Sequence, residues 1–148
     1  IHYAVQLFGT PLAIKAEGLV KDGVDHQVDV TLTYNKFDVN LRIAMDRYQG
    51  ERFTVYGTKG YIRIPWFHMS HRATGCTLTR ERRLFIDKHG RRNELLIVEF
   101  DRVAEEIRQG KITSDYVTPS AVIETFKIMD TIRQQIGVIF PRDLEVLK

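Results

Sequence analysis

The sequence has little cysteine, no long apolar run and no large excess of charge of one sign. Its one cysteine, Cys76, cannot form an internal disulfide, and a lone thiol is typical of a reducing cytoplasm, where we expect the protein to reside. The uncharged runs 1–14 and 116–123 contain glycine, proline or polar residues. They are shorter than the roughly 20 apolar residues that a membrane helix needs, so we expect no membrane partner.

The charge balance gives no indication of nucleic-acid binding. There are 22 lysines and arginines against 19 acidic residues, a net charge of +3, which is far from the concentrated basic face of most nucleic-acid binders. One local cluster is basic: Arg80, Arg82, Arg83, Lys88, His89, Arg91 and Arg92. It would suit phosphate contacts, but Glu81, Asp87 and Glu94 interrupt it, and we interpret it as a solvated strand edge.

Motifs for nucleotide or metal binding are also missing. The ten glycines form neither a G-x-G-x-x-G turn nor a P-loop, so the residues predict no cofactor-binding position in this chain. His68, His71 and Cys76 carry donor atoms that suit zinc, but no second close pair completes four ligands. We therefore predict no metal site and interpret these three as ordinary loop and core residues.

The apolar pattern predicts mostly strands before residue 98. Alternation over 13–18, 24–34, 39–45, 53–57 and 61–64 is typical of half-buried antiparallel strands. Asp22-Gly23 is a hairpin signal, and Gly57 and Gly60 are expected to supply positive φ or close approach in a second connection. Shorter strands are predicted at 77–79, 83–86 and 95–98, with an irregular stretch at 66–75 and a turn at 87–90.

Helices are predicted at both ends of the chain. Residues 1–8 have helical spacing and stop at Gly9, and a second helix runs from Phe100 to Gly110, with its apolar face expected to cover other residues. Thr118 as N-cap and Pro119 at N1 begin a third helix that ends at Gly137. Its predicted core stripe is Val122, Phe126, Met129, Ile132 and Ile136.

Strands followed by helices, without regular β-α alternation, indicate an α+β domain with a large, mostly antiparallel open sheet and helices on one face. The length of 148 residues and the 43% hydrophobic content suit one compact domain. Trp66 and Phe67, beside His68 and Met69, fit either a pocket mouth or packing in a core or interface, and packing is the favoured interpretation.

Several motifs in a fixed order resemble one enzyme family. They are Gly23-Val24-Asp25 before a long strand, the stretch 55–62 (VYGTKGYI), the E...G-K-x-x-S pattern from Glu99 to Ser114, and the ending 128–141 (IMDTIRQQIGVIFP). Together they resemble the C-terminal domain of the Gfo/Idh/MocA oxidoreductases, particularly members similar to dihydrodiol dehydrogenase. The resemblance extends over nearly all of 1–148 and is weakest between Trp66 and Leu96.

The resemblance implies that 1–148 is the substrate-binding and oligomerisation domain of an NAD(P)-dependent oxidoreductase. A Rossmann domain that binds NAD or NADP precedes this domain in the family, and its glycine turn and Glu-Lys-Pro segment would lie before Ile1. The expected partners are that domain, a small sugar, polyol or related substrate, and a second copy through the open sheet face. We expect no cofactor on this chain alone.

The same resemblance identifies His2 as the candidate catalytic residue. Ile1-His2 matches the end of the family's D-x-G-x-H junction, whose last residue is the proposed acid/base, and histidine suits proton transfer near neutral pH. At the position after Gly18, where some dihydrodiol dehydrogenase relatives have an arginine near the substrate, this sequence has Leu19. A free-standing sheet module for protein association is the alternative to an enzyme.

Overall fold

A computed structural model describes residues 1–86 and 95–146. The elements are α1 (His2–Phe8), β1 (Ala13–Lys21), β2 (Val24–Thr33), β3 (Asp38–Ala44), β4 (Arg52–Gly57), β5 (Gly60–Pro65), β6 (Arg72–Thr77), β7 (Arg82–Ile86), α2 (Leu95–Arg108), α3 (Pro119–Gln135) and α4 (Pro141–Val146), with a short 3₁₀ turn at Phe67–Met69. Two compact units form: Ile1–Gln49 with the part from Thr113 on, and Gly50–Ile112.

The first unit contains a three-stranded antiparallel sheet in the order β1-β2-β3. Lys21 pairs with Val24 across the connection, and Asp22 and Gly23 between them have φ of 53° and 78°. Positive φ at both central residues is the type I′ arrangement that matches the twist of paired strands. The predicted hairpin is therefore confirmed.

The core of the first unit lies on one face of this sheet. Cross-strand partners place Ala16, Val30 and Leu41 side by side, and Gly18, Val28 and Ile43 in the next row. Leu32 is fully buried, and Ala4 and Val5 of α1 join the same cluster with Ile128 and Ile132 of α3. Helices therefore pack on one face of an antiparallel sheet, as the sequence predicts.

Helix α3 begins and ends as predicted, but its buried face differs from the predicted stripe. The Thr118 hydroxyl accepts a hydrogen bond from the Ala121 amide (3.2 Å), and Gly137 follows the helix with φ 79°. The buried residues are Thr125, Ile128 and Ile132. The prediction was wrong for Phe126 and Met129, which are 61% and 46% exposed.

Arg133 connects the end of α3 to α4. Its guanidinium bonds the Asp143 carboxylate, the Asp130 carboxylate (3.0 Å) and the Val138 carbonyl (3.1 Å), and it lies 4.4 Å from the centre of the Phe140 ring. The hydrogen bond from Arg133 lowers the pKa of Asp143 below its usual value. These bonds hold α4 against the helix that precedes it.

The second unit contains a four-stranded antiparallel sheet in the order β4-β5-β6-β7. β6 covers Arg72–Thr77, so the prediction of an irregular stretch to residue 75 and a strand at 77–79 was wrong. A predicted strand at 95–98 was also wrong, because α2 begins at Leu95 and Glu99 lies inside it. A short apolar run does not distinguish strand from helix. The predicted turn at 87–90 lies outside the described residues.

The register of this sheet gives one face a mainly apolar character. The paired positions Phe53 with Ile64, Val55 with Ile62, and Ala73 with Phe85 share this face, which we call the open face. Its side chains remain accessible: Ile62 is 47% exposed and Phe85 is 52% exposed. The opposite face carries Arg63, Thr74 and Leu84.

Helix α2 ends in a capping motif that accounts for the Gly110-Lys111 pair. The amide of Gly110 (φ 73°) bonds the Ile107 carbonyl (2.9 Å), and the Lys111 amide bonds the Glu106 carbonyl (3.0 Å). These are the bonds of a Schellman motif. Phe100 and Ile107 are 70% and 67% exposed, so the expectation that this apolar stripe covers other residues was wrong for these two.

The α+β class with antiparallel pairing is confirmed. The described strands form two sheets rather than one large sheet. None of the described helices is long and apolar enough to cross a membrane.

Candidate functional site

His2 lies at the first position of α1, where this helix packs against α3. Ala4 and Val5 of the same short helix are buried in the core. His2 itself is partly buried, so part of the residue remains accessible to solvent. This position suits a residue that must both be oriented and meet a small molecule.

Both ring nitrogens of His2 have hydrogen-bond partners. Nδ1 lies 3.1 Å from Thr125 Oγ1 on α3, and Nε2 lies 3.2 Å from Gln6 Nε2 one turn along α1. The Thr125 hydroxyl also donates to the Ala121 carbonyl at 2.8 Å. Thr125 is buried, whereas Gln6 is exposed. The group formed by His2, Gln6 and Thr125 is called the His2 site below.

Sequence reasoning missed two members of the His2 site. Gln6 had a detectable signal, because residues four apart lie on one side of a helix. Thr125 is a polar residue at a core-facing position, between Ala121 and Ile128 in the helical spacing of α3. Thr125 stands out as a polar residue only when the buried stripe of α3 is assigned correctly. The predicted stripe contained Phe126 in place of Thr125.

The other candidate residues are not part of the His2 site. His68 Nδ1 lies 3.0 Å from the Glu51 carboxylate, and Cys76 is part of β6. In the described ranges 1–86 and 95–146, no three histidine, cysteine or acidic side chains are grouped as a metal would need. Trp66 and Phe67 are 50% and 38% exposed, so they are not core residues.

The basic cluster is only partly described. Arg82 and Arg83 lie in β7, and Arg80 precedes it with φ 66°. Lys88, His89, Arg91 and Arg92 lie outside the described residues. The three described arginines lie at or just before the edge strand β7, where charge discourages the addition of another strand.

One open groove of about 290 Å³ lies in the second unit. Val55, Ile62, Tyr61 and Cys76 are among its lining residues. The lining is mostly apolar, with Lys59 as its charged member. It contains none of the residues of the His2 site.

The described residues do not fit an NAD(P)-binding site. A dinucleotide phosphate is normally held by a glycine turn that leads into the start of a helix. Here the glycines with positive φ follow helices, at Gly9, Gly110 and Gly137, or lie at strand connections, at Gly23 and Gly60.

Comparison with curated proteins finds a dehydrogenase that is similar in sequence over almost the whole chain. The chain is 28% identical over 144 residues to scyllo-inositol 2-dehydrogenase (NADP(+)) IolU of Bacillus subtilis, with 97% of this chain and 43% of that protein aligned. The resemblance to oxidoreductases is confirmed. No family model matches the chain.

Solved structures show the same fold. A Klebsiella pneumoniae protein described as an oxidoreductase superposes with a TM-score of 0.66 at 15% identity, over 92% of this chain and 45% of that one. The Bacillus subtilis protein yvaA, described likewise, superposes with a TM-score of 0.67 at 15% identity, over 90% and 46%. The chain thus spans less than half the length of the proteins it matches.

Proposed function

We propose that residues 1–148 form the C-terminal, substrate-binding and oligomerisation domain of an NAD(P)-dependent oxidoreductase of the Gfo/Idh/MocA family. The observation that carries this proposal is the alignment of almost the whole chain with 43% of an NADP-dependent inositol dehydrogenase. The sequence motifs at 55–62 and 128–141 support the same assignment. The substrate class is a sugar, polyol or related hydroxyl or carbonyl compound.

In this proposal His2 is the acid/base residue. Oxidation of a secondary alcohol needs a group that removes the hydroxyl proton, and a neutral imidazole nitrogen does so near neutral pH. In the reverse direction the imidazolium returns the proton to the carbonyl oxygen. When bound, NAD or NADP would accept or supply the hydride, and the Rossmann domain of the intact protein would hold it.

The open face is proposed as the surface through which two copies associate. Its support is the apolar character of Val55, Ile62 and Phe85 together with their exposure. Exposed apolar patches of this kind are typical of interfaces. An antiparallel sheet whose exposed face is apolar is suited to pairing with an identical face about a twofold axis.

The enzymatic proposal is tested on the intact oxidoreductase that contains this chain. Reduction of NAD or NADP is followed with scyllo-inositol and a panel of other polyols and sugars. Replacement of His2 by Ala is expected to lower kcat about 100- to 10,000-fold, the usual contribution of a general base, while the cofactor Kd stays unchanged. His26→Ala, which removes a histidine of β2 outside the His2 site, is the matched control.

A second experiment tests the proposal that the Rossmann domain, and not residues 1–148, binds the cofactor. Fluorescence titration of NADH and NADPH is expected to show binding to the intact protein and none to residues 1–148 alone, with circular dichroism confirming that the shorter chain is folded. Tight cofactor binding by the shorter chain contradicts the proposed division. A normal kcat in His2→Ala removes His2 from the mechanism.

A further inference from the structure

The hydrogen bonds around His2 specify which ring nitrogen carries a proton. A hydroxyl group has one hydrogen to donate, and Thr125 uses its own on the Ala121 carbonyl at 2.8 Å. Thr125 Oγ1 can then only accept from His2 Nδ1, which lies 3.1 Å away. Nδ1 must therefore carry a hydrogen.

The second bond of the ring leads to the same tautomer. Gln6 presents its amide nitrogen to His2 Nε2 at 3.2 Å, and an amide NH₂ group only donates. Nε2 is therefore the acceptor and carries no hydrogen in the neutral ring. Both neighbours require the same neutral imidazole, protonated at Nδ1 and unprotonated at Nε2.

The two partners differ in how firmly they are held. Thr125 is 9% exposed in the interior of α3, and its hydroxyl is fixed by a bond within the same helix. Gln6 is exposed, so its amide can rotate away or be replaced at Nε2. A substrate hydroxyl would donate to Nε2 in the same way as the Gln6 amide does.

We infer that Thr125 is a positioning residue that holds His2 with Nδ1–H directed into the protein and leaves Nε2 as the nitrogen that exchanges a proton with substrate. This inference rests on the proposed role of His2. Thr125 does not touch the substrate in this arrangement and acts through the orientation and tautomer of the ring. The side chain of Gln6 occupies Nε2 until substrate arrives.

The tautomer is measured by NMR of the intact oxidoreductase labelled with ¹⁵N-histidine, with the His2 signals assigned by their loss in His2→Ala. Wild type and Thr125→Ser are expected to show Nδ1 protonated and Nε2 unprotonated in the neutral ring. Thr125→Val keeps the shape but removes the acceptor, so the Nε2–H form is expected to appear. Thr131→Val is the matched control, because Thr131 makes the same kind of bond to the Lys127 carbonyl (2.9 Å) without touching a histidine.

Kinetics provide the second measurement. Thr125→Val is expected to lower kcat about 10- to 100-fold with little change in KM, because the ring is misoriented rather than removed. Thr125→Ser should restore most of the activity, and Thr131→Val should leave it unchanged. A purely structural role for Thr125 would lower thermal stability without changing the tautomer.

The outcomes separate this inference from the proposed function. Nε2–H in the wild-type protein, or an unchanged tautomer in folded Thr125→Val, overturns the positioning role. A normal kcat in His2→Ala overturns the proposed function, and the NMR result then still reports whether Thr125 sets the tautomer.

Discussion

Gly60 lies at the start of β5 and has a backbone conformation that other residues avoid. Its φ is +144°, and a Cβ at this position would lie 2.1 Å from the Cys76 carbonyl oxygen and 2.9 Å from Thr77 Cα. Both atoms belong to the backbone of the neighbouring strand, so neither can rotate away. The prediction that Gly60 provides positive φ and close approach is confirmed. It was wrong for Gly57, whose Cβ would meet no atom closer than 3.7 Å and whose φ is not positive.

Replacement of Gly60 by Ala is expected to destabilise the protein by about 1–3 kcal/mol from the backbone conformation alone. The displacement of β6 adds to this cost. Gly57→Ala, three residues earlier in the same connection, is the control and should change stability by less than about 0.5 kcal/mol. Urea unfolding curves of the two variants provide the comparison. Equal midpoints for both variants would show that the close approach at Gly60 is readily relieved.

At the scale of whole elements, α3 docks on β1 through one side chain as well as through its apolar face. The Gln135 amide donates to the Ile14 carbonyl (2.9 Å) and accepts from the Ala16 amide (2.7 Å). β1 is an edge strand of its sheet, so these two backbone groups face away from β2. Gln135 thereby bonds them as a neighbouring strand would, and it covers part of an otherwise open edge.

Gln135→Ala is expected to lower the free energy of unfolding by about 1–2 kcal/mol, the net value of two hydrogen bonds. Gln134→Ala is the matched control, because Gln134 is the preceding residue of α3 and its side chain is exposed. Thermal denaturation of both variants, with hydrogen exchange at Ala16, measures the effect. Unchanged protection of the Ala16 amide would mean that Gln135 contributes nothing to the docking of α3.

The elements also show where sequence patterns are reliable. The ends of α3 follow from Thr118, Pro119 and Gly137, whose effects act within one helical turn. The buried face of α3 does not follow from such local signals, because the helix carries two apolar stripes. The stripe with Ile128 and Ile132 meets the sheet, while Phe126 and Met129 on the other stripe are exposed. With this face buried, Ile136 lies close to Gly18 of β1. A Cβ at Gly18 would lie 3.2 Å from the Ile136 side chain.

At the scale of the whole molecule, the proposed association of two copies depends on one sheet face. Phe85 and Leu84 are consecutive residues of β7 with similar exposure, 52% and 62%. Their side chains point to opposite faces: Phe85 shares the open face with Ala73, and Leu84 shares the other face with Thr74. A charge at either position therefore tests one face at a time.

Phe85→Lys is expected to convert the proposed dimer of the intact protein to monomer, because burying an unpaired ammonium group in an apolar interface is costly. Leu84→Lys should leave the proposed dimer intact. Sedimentation velocity over a range of protein concentrations distinguishes the two results. Dissociation by Leu84→Lys and not by Phe85→Lys would place the interface on the opposite face.

By itself, the sequence determined the local features of this protein: the Asp22-Gly23 hairpin, the ends of α3 and the period-two faces of the strands. Each depends on residues within a few positions of one another, because dihedral preferences and caps act at short range. Tertiary structure decided which stripe of α3 is buried, and with it the meeting of His2 with Thr125, 123 residues away. Such contacts depend on how the whole core packs, which no local pattern specifies.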